Sequence, residues 1–117
     1  MGLRRSTANP SSGPRYERAA CQWLKRHHYR VLARNFRIGG VEVDCLAQDF
    51  LGNLWVVEVR GRLNPAWRSY EMLSARKIRR LEYAADCLCR AKGKTVRLAL
   101  LEVYGSVDLE FRWLCLD

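Results

Sequence analysis

Three short apolar runs in quick succession set the main limit on what this chain can fold into. Residues 29–38 read YRVLARNFRI, residues 40–49 GVEVDCLAQD and residues 53–62 NLWVVEVRGR, separated by the turn signals Gly39-Gly40 and Gly52-Asn53. Runs this short, rich in β-branched and aromatic residues and punctuated by glycine, predict a three-stranded antiparallel meander. Inside these strands stand Glu42, Asp44 and Glu58. Strand interiors disfavour acids, and an unpaired carboxylate taken out of water costs several kcal/mol. Something positive must therefore meet them.

Around the meander, Tyr16, Ala19, Ala20, Trp23 and Leu24 recur at helical spacing, with Ser12 as N-cap and Pro14 in the first turn. They predict a helix over residues 14–27. Ser74 is positioned to cap a second helix with the stripe Ile78, Leu81, Ala85 and Leu88, and Lys92-Gly93 to end it. Strands follow at 95–104 and, after Gly105-Ser106, at 109–116, paired with each other. The order α-β-β-β-α-β-β describes an α/β sheet with helices covering at least one face. Residues 1–12 read as a flexible basic arm and residues 13–117 as a single domain.

The net charge of +9 favours a polyanionic partner, and its distribution says more than its total. Residues 15–37 and 60–80 each carry +6, whereas residues 38–59 carry −4. Basic flanks attract phosphates and an acidic centre can hold a divalent cation. Five cysteines, an odd number with no CxxC, argue against zinc and for small buried thiols in a reducing cytoplasm. With no apolar run near ~20 residues and no basic-then-apolar start, the expectation is a cytoplasmic protein with neither membrane span nor signal peptide.

Strand alternation puts Glu42 and Asp44 on one face of the second strand, and Glu58 and Arg60 on one face of the third. Were Asp44 and Glu58 to converge, their oxygens would bind Mg²⁺ or Mn²⁺, with Arg60 balancing charge around a phosphate. Such a site suits phosphodiester hydrolysis. The plainer alternative is a cross-strand Glu–Arg pair on a solvated face, which contributes little.

Asp44, thirteen intervening residues and then Glu58-Val59-Arg60 resembles the PD-(D/E)xK signature of restriction-endonuclease-like nucleases. More specifically, the chain resembles the YraN-like family of small bacterial proteins, distantly similar to archaeal Holliday junction resolvases. The family's landmarks are matched in order by Tyr16-Glu17, Arg34-Asn35, Val41-Glu42-Val43-Asp44, Val57-Glu58-Val59-Arg60-Gly61-Arg62 and Lys77. The resemblance implies a restriction-endonuclease-like fold. It also implies a metal site of Glu17, Asp44 and Glu58 with Glu42 beside them, and Arg60 at the catalytic lysine position. Arg62, Arg76, Lys77, Arg80 and Arg34 would then meet nucleic acid, with DNA the expected partner and no organic cofactor required.

This chain departs from the pattern at several places. Arg60 stands where lysine is usual, and arginine cannot act as a general base. Tyr16 and Val41 replace glycines, and Arg97-Leu98-Ala99 replaces Arg-Phe-Asp. Three functions fit these residues: a metal-dependent nuclease on branched or structured DNA, a non-catalytic nucleic-acid-binding module of the same fold, and a basic protein-interaction domain. A homodimer is compatible with each.

Overall fold

The computed structural model describes residues 13–63 and 73–117. The expected arm over 1–12, including the Ser12 cap, lies outside the described residues. The elements are α1 (Gly13–Arg26), β1 (Arg30–Ile38), β2 (Val41–Gln48), β3 (Leu54–Arg62), α2 (Ala75–Lys92), β4 (Val96–Tyr104) and β5 (Glu110–Cys115).

Local chemistry fixes the helix ends. Ser74 Oγ accepts from the Lys77 amide at 3.0 Å, and Gly93 closes α2 in the left-handed region while its N–H reaches Cys89 O at 2.9 Å. α1 stops without a glycine. His28 takes φ 69, its amide bonds Lys25 O and the Tyr29 amide reaches back to Leu24 O at 2.9 Å, a Schellman arrangement.

The five strands form one sheet in the order β1-β2-β3-β4-β5. β1, β2 and β3 make the expected antiparallel meander, β4 runs parallel to β3 after the α2 crossover, and β5 returns antiparallel to β4. α1 covers one face, packing Tyr16, Ala20 and Leu24 against Cys45, Ala47, Trp55, Val57, Leu101 and Val103. α2 covers the other with Leu81, Ala84, Ala85 and Leu88 against Val41, Val43, Leu46, Val56 and Leu98. Ile78, expected in the stripe, is only half-buried. Because both faces are covered, β3 and β4 read as nearly continuous apolar runs.

Besides a register shift in β1 between Val31 and Ala33, the regular pleat fails in the middle of β2. Val43 belongs to the α2-side core and Cys45 to the α1-side core, although residues two apart on a regular strand share a face. The β2–β3 pairing ends at Cys45–Val57, so the two strands part just beyond it. Asp44 sits in that break. Asn35, on the neighbouring β1, has φ 50, a conformation asparagine tolerates better than most residues.

Candidate active site

Asp44 occupies the opening between β2 and β3, where its carboxylate takes over from the ended ladder. Its Oδ2 accepts from the Val59 amide at 2.8 Å, so the side chain lies along the sheet rather than out of either face. Here the expectation from alternation is corrected: Glu42 and Asp44 do not share a face, because β2 turns over between Val43 and Cys45. Glu42 stands opposite Arg37 on β1, and the leading charges acting on Asp44 are Glu58, Glu17 and Lys77 rather than Glu42.

Glu58 comes from β3. Its neighbours Val57 and Val59 face α1, so Glu58 itself faces α2, and it is buried at 5% exposure. Lys77, in the first turn of α2, brings Nζ to 3.8 Å from Glu58 Oε2, and Arg60 brings Nε to 3.2 Å from the same oxygen. The other oxygen, Oε1, is buried without a hydrogen-bond partner among the described residues. A carboxylate oxygen in that position keeps a lone pair aimed at whatever positive group can enter.

Glu17 reaches the same centre from α1. It is half-buried, accepts from Asn35 Nδ2 at 3.3 Å and adds to the negative potential at Asp44. Asn35 is itself buried, and its left-handed backbone sets the amide that Glu17 uses. Acids from α1 and from the α2 side therefore both act on Asp44 at the break in the β2–β3 ladder.

The electrostatic consequence falls on Asp44. Loss of solvent, followed by the Glu58 charge and then Glu17, raises its carboxyl to about 8, against the opposing pull of the Val59 amide and Lys77. Two carboxylates that cannot comfortably ionise together either share a proton or draw in a cation.

The donor set fits a hard divalent ion. Among the described residues no cluster of three or more His, Cys, Asp or Glu side chains stands assembled around a metal position. Mg²⁺, however, is commonly held by one or two carboxylates together with water and substrate phosphate. Asp44 and the unpartnered Glu58 Oε1 supply such a pair, with Glu17 contributing charge alongside.

The expected nucleic-acid residues divide into groups. Arg76 and Arg80 are exposed on α2, and Lys77 is half-buried against Glu58. Arg62 is half-buried, with Nη1 donating to Gly61 O. Arg34 pairs in register with Cys45, which places it on the α1 side beside the buried thiols Cys21 and Cys45. All five cysteines are free.

Sequence reasoning missed two contacts that shape this region. Tyr16 lies so close to Gly61 that a Cβ there would fall 1.9 Å from its ring, and its hydroxyl donates to Gly105 O at 3.0 Å. The bulky Tyr16 fits because Gly61, inside the Arg60-Gly61-Arg62 run, yields the space. Asn35 was visible in the Arg34-Asn35 pair, but only the folded chain puts its amide on Glu17.

The family model described as "Uncharacterised protein family UPF0102" matches residues 16–108. A UPF0102 protein of Kosmotoga olearia is 38% identical over 100 residues, covering 83% of this chain and 85% of that one. A second, from Idiomarina loihiensis, is 33% identical over 76 residues, covering 63% of this chain and 64% of its own length, so the match spans less than two thirds of that relative. Among solved structures, one titled "Structure of EndoMS-dsDNA2 complex" superposes with TM-score 0.55 at 19% identity, over 86% of this chain and 37% of that chain. A repair endonuclease from Pyrococcus abyssi superposes with TM-score 0.50 at 18% identity, over 92% of this chain and 42% of the other. These likenesses establish a restriction-endonuclease-like fold, as the motif order implied. No helix among the described residues is long and apolar enough to cross a membrane.

Proposed function

Taking as premise that the chain belongs to the uncharacterised protein family UPF0102, we propose that it is a nuclease-like nucleic-acid-binding protein that hydrolyses phosphodiester bonds in branched or structured DNA, using Mg²⁺ or Mn²⁺. One observation carries the reading. Asp44 lies where β2 and β3 part and feels the charge of Glu58, whose Oε1 is unpartnered among the described residues and whose opposite oxygen carries the cationic side chains.

In this reading Asp44 and Glu58 hold the cation and Glu17 deepens the negative potential around it. A bound divalent ion lowers the pKa of water and stabilises charge on phosphate oxygens. The Val59 amide fixes Asp44 in rotation, so its free oxygen keeps one direction. A guanidinium is no general base, which limits Arg60 to clamping phosphate or stabilising charge. Lys77 brings an ammonium to the acids from α2, and that is the group able to stand in for the lysine usual at position 60. Arg62, Arg76 and Arg80 extend the positive surface along which a phosphate backbone is held.

A second reading rests on the same pair of cations. Arg60 and Lys77 already offset the charge of Glu58, so the fold can bind nucleic acid without cleaving it. Incubation with branched, flapped, single-stranded and duplex DNA and RNA, with Mg²⁺ or Mn²⁺, separates the two. The nuclease reading expects metal-dependent products that disappear in Asp44→Asn and Glu58→Gln proteins. Tight binding without products in either metal leaves the binding module.

A further inference from the structure

A second concave surface lies along α2, from beside Lys77 to nearly two turns beyond it. The turn joining β1 to β2 and the outer face of α2 enclose a cleft of about 280 Å³ lined by Gly39, Gly40, Arg76, Arg79, Arg80 and Tyr83. Positions 76, 79, 80 and 83 follow helical spacing, so the three guanidinium groups and the phenol rise from one face of α2. All three arginines are exposed, and none is ion-paired with another described residue.

Tyr83 is held in an unusual way for a surface aromatic. Gly39, at φ +57, packs so closely that a Cβ would fall 2.7 Å from the ring, with Cys87 Sγ at 3.0 Å from the same point. One side of the ring is therefore braced by backbone, yet the residue remains 52% exposed. A braced ring loses little freedom when a flat group covers its open side, and any base has a flat π-face. Guanidinium groups alongside supply forked donors for phosphate oxygens.

We propose that this cleft binds an unpaired nucleotide, DNA or RNA, with its base stacked on Tyr83 and its flanking phosphates on Arg76, Arg79 and Arg80. The proposal rests on the nucleic-acid reading above and adds to it a preference for substrates with a single-stranded segment. Six residues of helix separate Lys77 from Tyr83, about 9 Å along the axis. Since successive phosphates rise ~3.4 Å along a duplex axis and lie farther apart in an extended strand, one to three nucleotides span that distance. A strand held at Asp44 and Glu58 can thus leave its duplex and enter the cleft.

The test compares full-length wild type, Tyr83→Phe and Tyr83→Leu proteins in metal-free buffer, by fluorescence anisotropy with a labelled single strand and with a blunt duplex of the same sequence. Leucine keeps apolar contact with the Gly39 turn and removes the stacking face. Tyr83→Leu is expected to weaken single-strand binding by about 5- to 150-fold and duplex binding by less than about twofold, with Tyr83→Phe close to wild type. A 2-aminopurine base in the single strand should be quenched on binding wild type, a readout independent of whether the leucine variant folds. Equal losses for both ligands, no loss for either, or an unquenched base overturns the cleft while leaving nucleic-acid binding in place. Wild type that binds neither ligand at low salt overturns this proposal together with the reading beneath it.

Discussion

Asp44 and Asp49 stand five residues apart on the same stretch of chain, and the fold treats them in opposite ways. Asp49, just past the end of β2, accepts from the amides of Leu51 and Asn53 at 3.0 Å each and from Trp55 Nε1 at 3.0 Å. Although partial loss of solvent works against it, these donors hold its carboxyl below the usual range. Asp44 has the single Val59 amide and faces Glu58 and Glu17, and its carboxyl is driven up to about 8. The first acid is spent on closing the β2–β3 turn. The second has too few donors to be held ionised, so without a cation the fold keeps a proton on it, and a cation entering beside it would take that proton's place.

The sharpest way to break the comparison is to neutralise both residues in turn. Asp44→Asn retains an oxygen for the Val59 amide but loses the charge, and cleavage should fall by at least ~10²-fold, the scale of removing one preorganised electrostatic group. Glu58→Gln should do the same. Asp49→Ala should leave the specific activity of folded protein unchanged. An Asp49 variant as inactive as Asp44→Asn, at equal folded fraction, would dissolve the distinction.

Stability should move the other way. Asp49→Ala strips partners from two amides and an indole N–H, at a cost of about 1–3 kcal/mol in denaturant unfolding. Asp44→Asn, in chelator at neutral pH, should stabilise, since it removes a group the folded state resists ionising. Divalent cations should raise the wild-type melting temperature, by an amount equivalent to ~2.7 kcal/mol at a hundred times Kd, and should leave an Asp44→Ala, Glu58→Ala double variant unmoved. A wild-type melting temperature indifferent to millimolar Mn²⁺ would remove the cation from the reading.

The pH dependence carries opposite signs for the two aspartates. Asp44's carboxyl is raised from 3.8 to about 8, so between those values the folded protein keeps a proton that the unfolded chain has released. Its contribution is full below about 3.8 and is lost as pH rises through about 8. Asp49's is lowered, so its contribution is present above the ordinary 3.8 and is lost as pH falls through the lower folded value. In chelator, Asp44→Asn should flatten the decline in stability between pH 4 and 8, and Asp49→Asn should flatten only the acid limb. Unfolding free energies across pH 3 to 9 check both.

Arg60→Lys should have the smallest effect. Lysine offers a compact ammonium able to approach the attacking water, and cleavage should rise by less than about tenfold. A general base gained from nothing would contribute ~10²–10⁴-fold, but Lys77 already places an ammonium beside Glu58. A loss instead of a gain would mean that the guanidinium fork of Arg60 is what holds phosphate.

Much of this architecture is local and therefore legible in the sequence. The glycine turns at 39–40 and 52–53, the Ser74 cap and the Gly93 stop depend on backbone preferences of single residues, and they stand where the pattern puts them. Periodicity likewise marked Leu81, Ala85 and Leu88 as core. The ordered motif from Glu17 through Lys77 named the acids, because residue type and spacing survive in a linear reading. The facing of Asp44 did not survive, since alternation assumes an unbroken pleat and β2 breaks its pleat at that residue. Nor did the partner of Lys77, the amide Asn35 lends to Glu17, the fit of Tyr16 over Gly61, or the glycine turn behind Tyr83. Those depend on elements distant in the chain arriving within a few ångströms of each other. Sequence by itself determined which residues carry charge and which segments form helix or strand. Only the tertiary structure decided which charges meet, because solvent exclusion and electrostatic interaction depend on distance in space rather than along the chain.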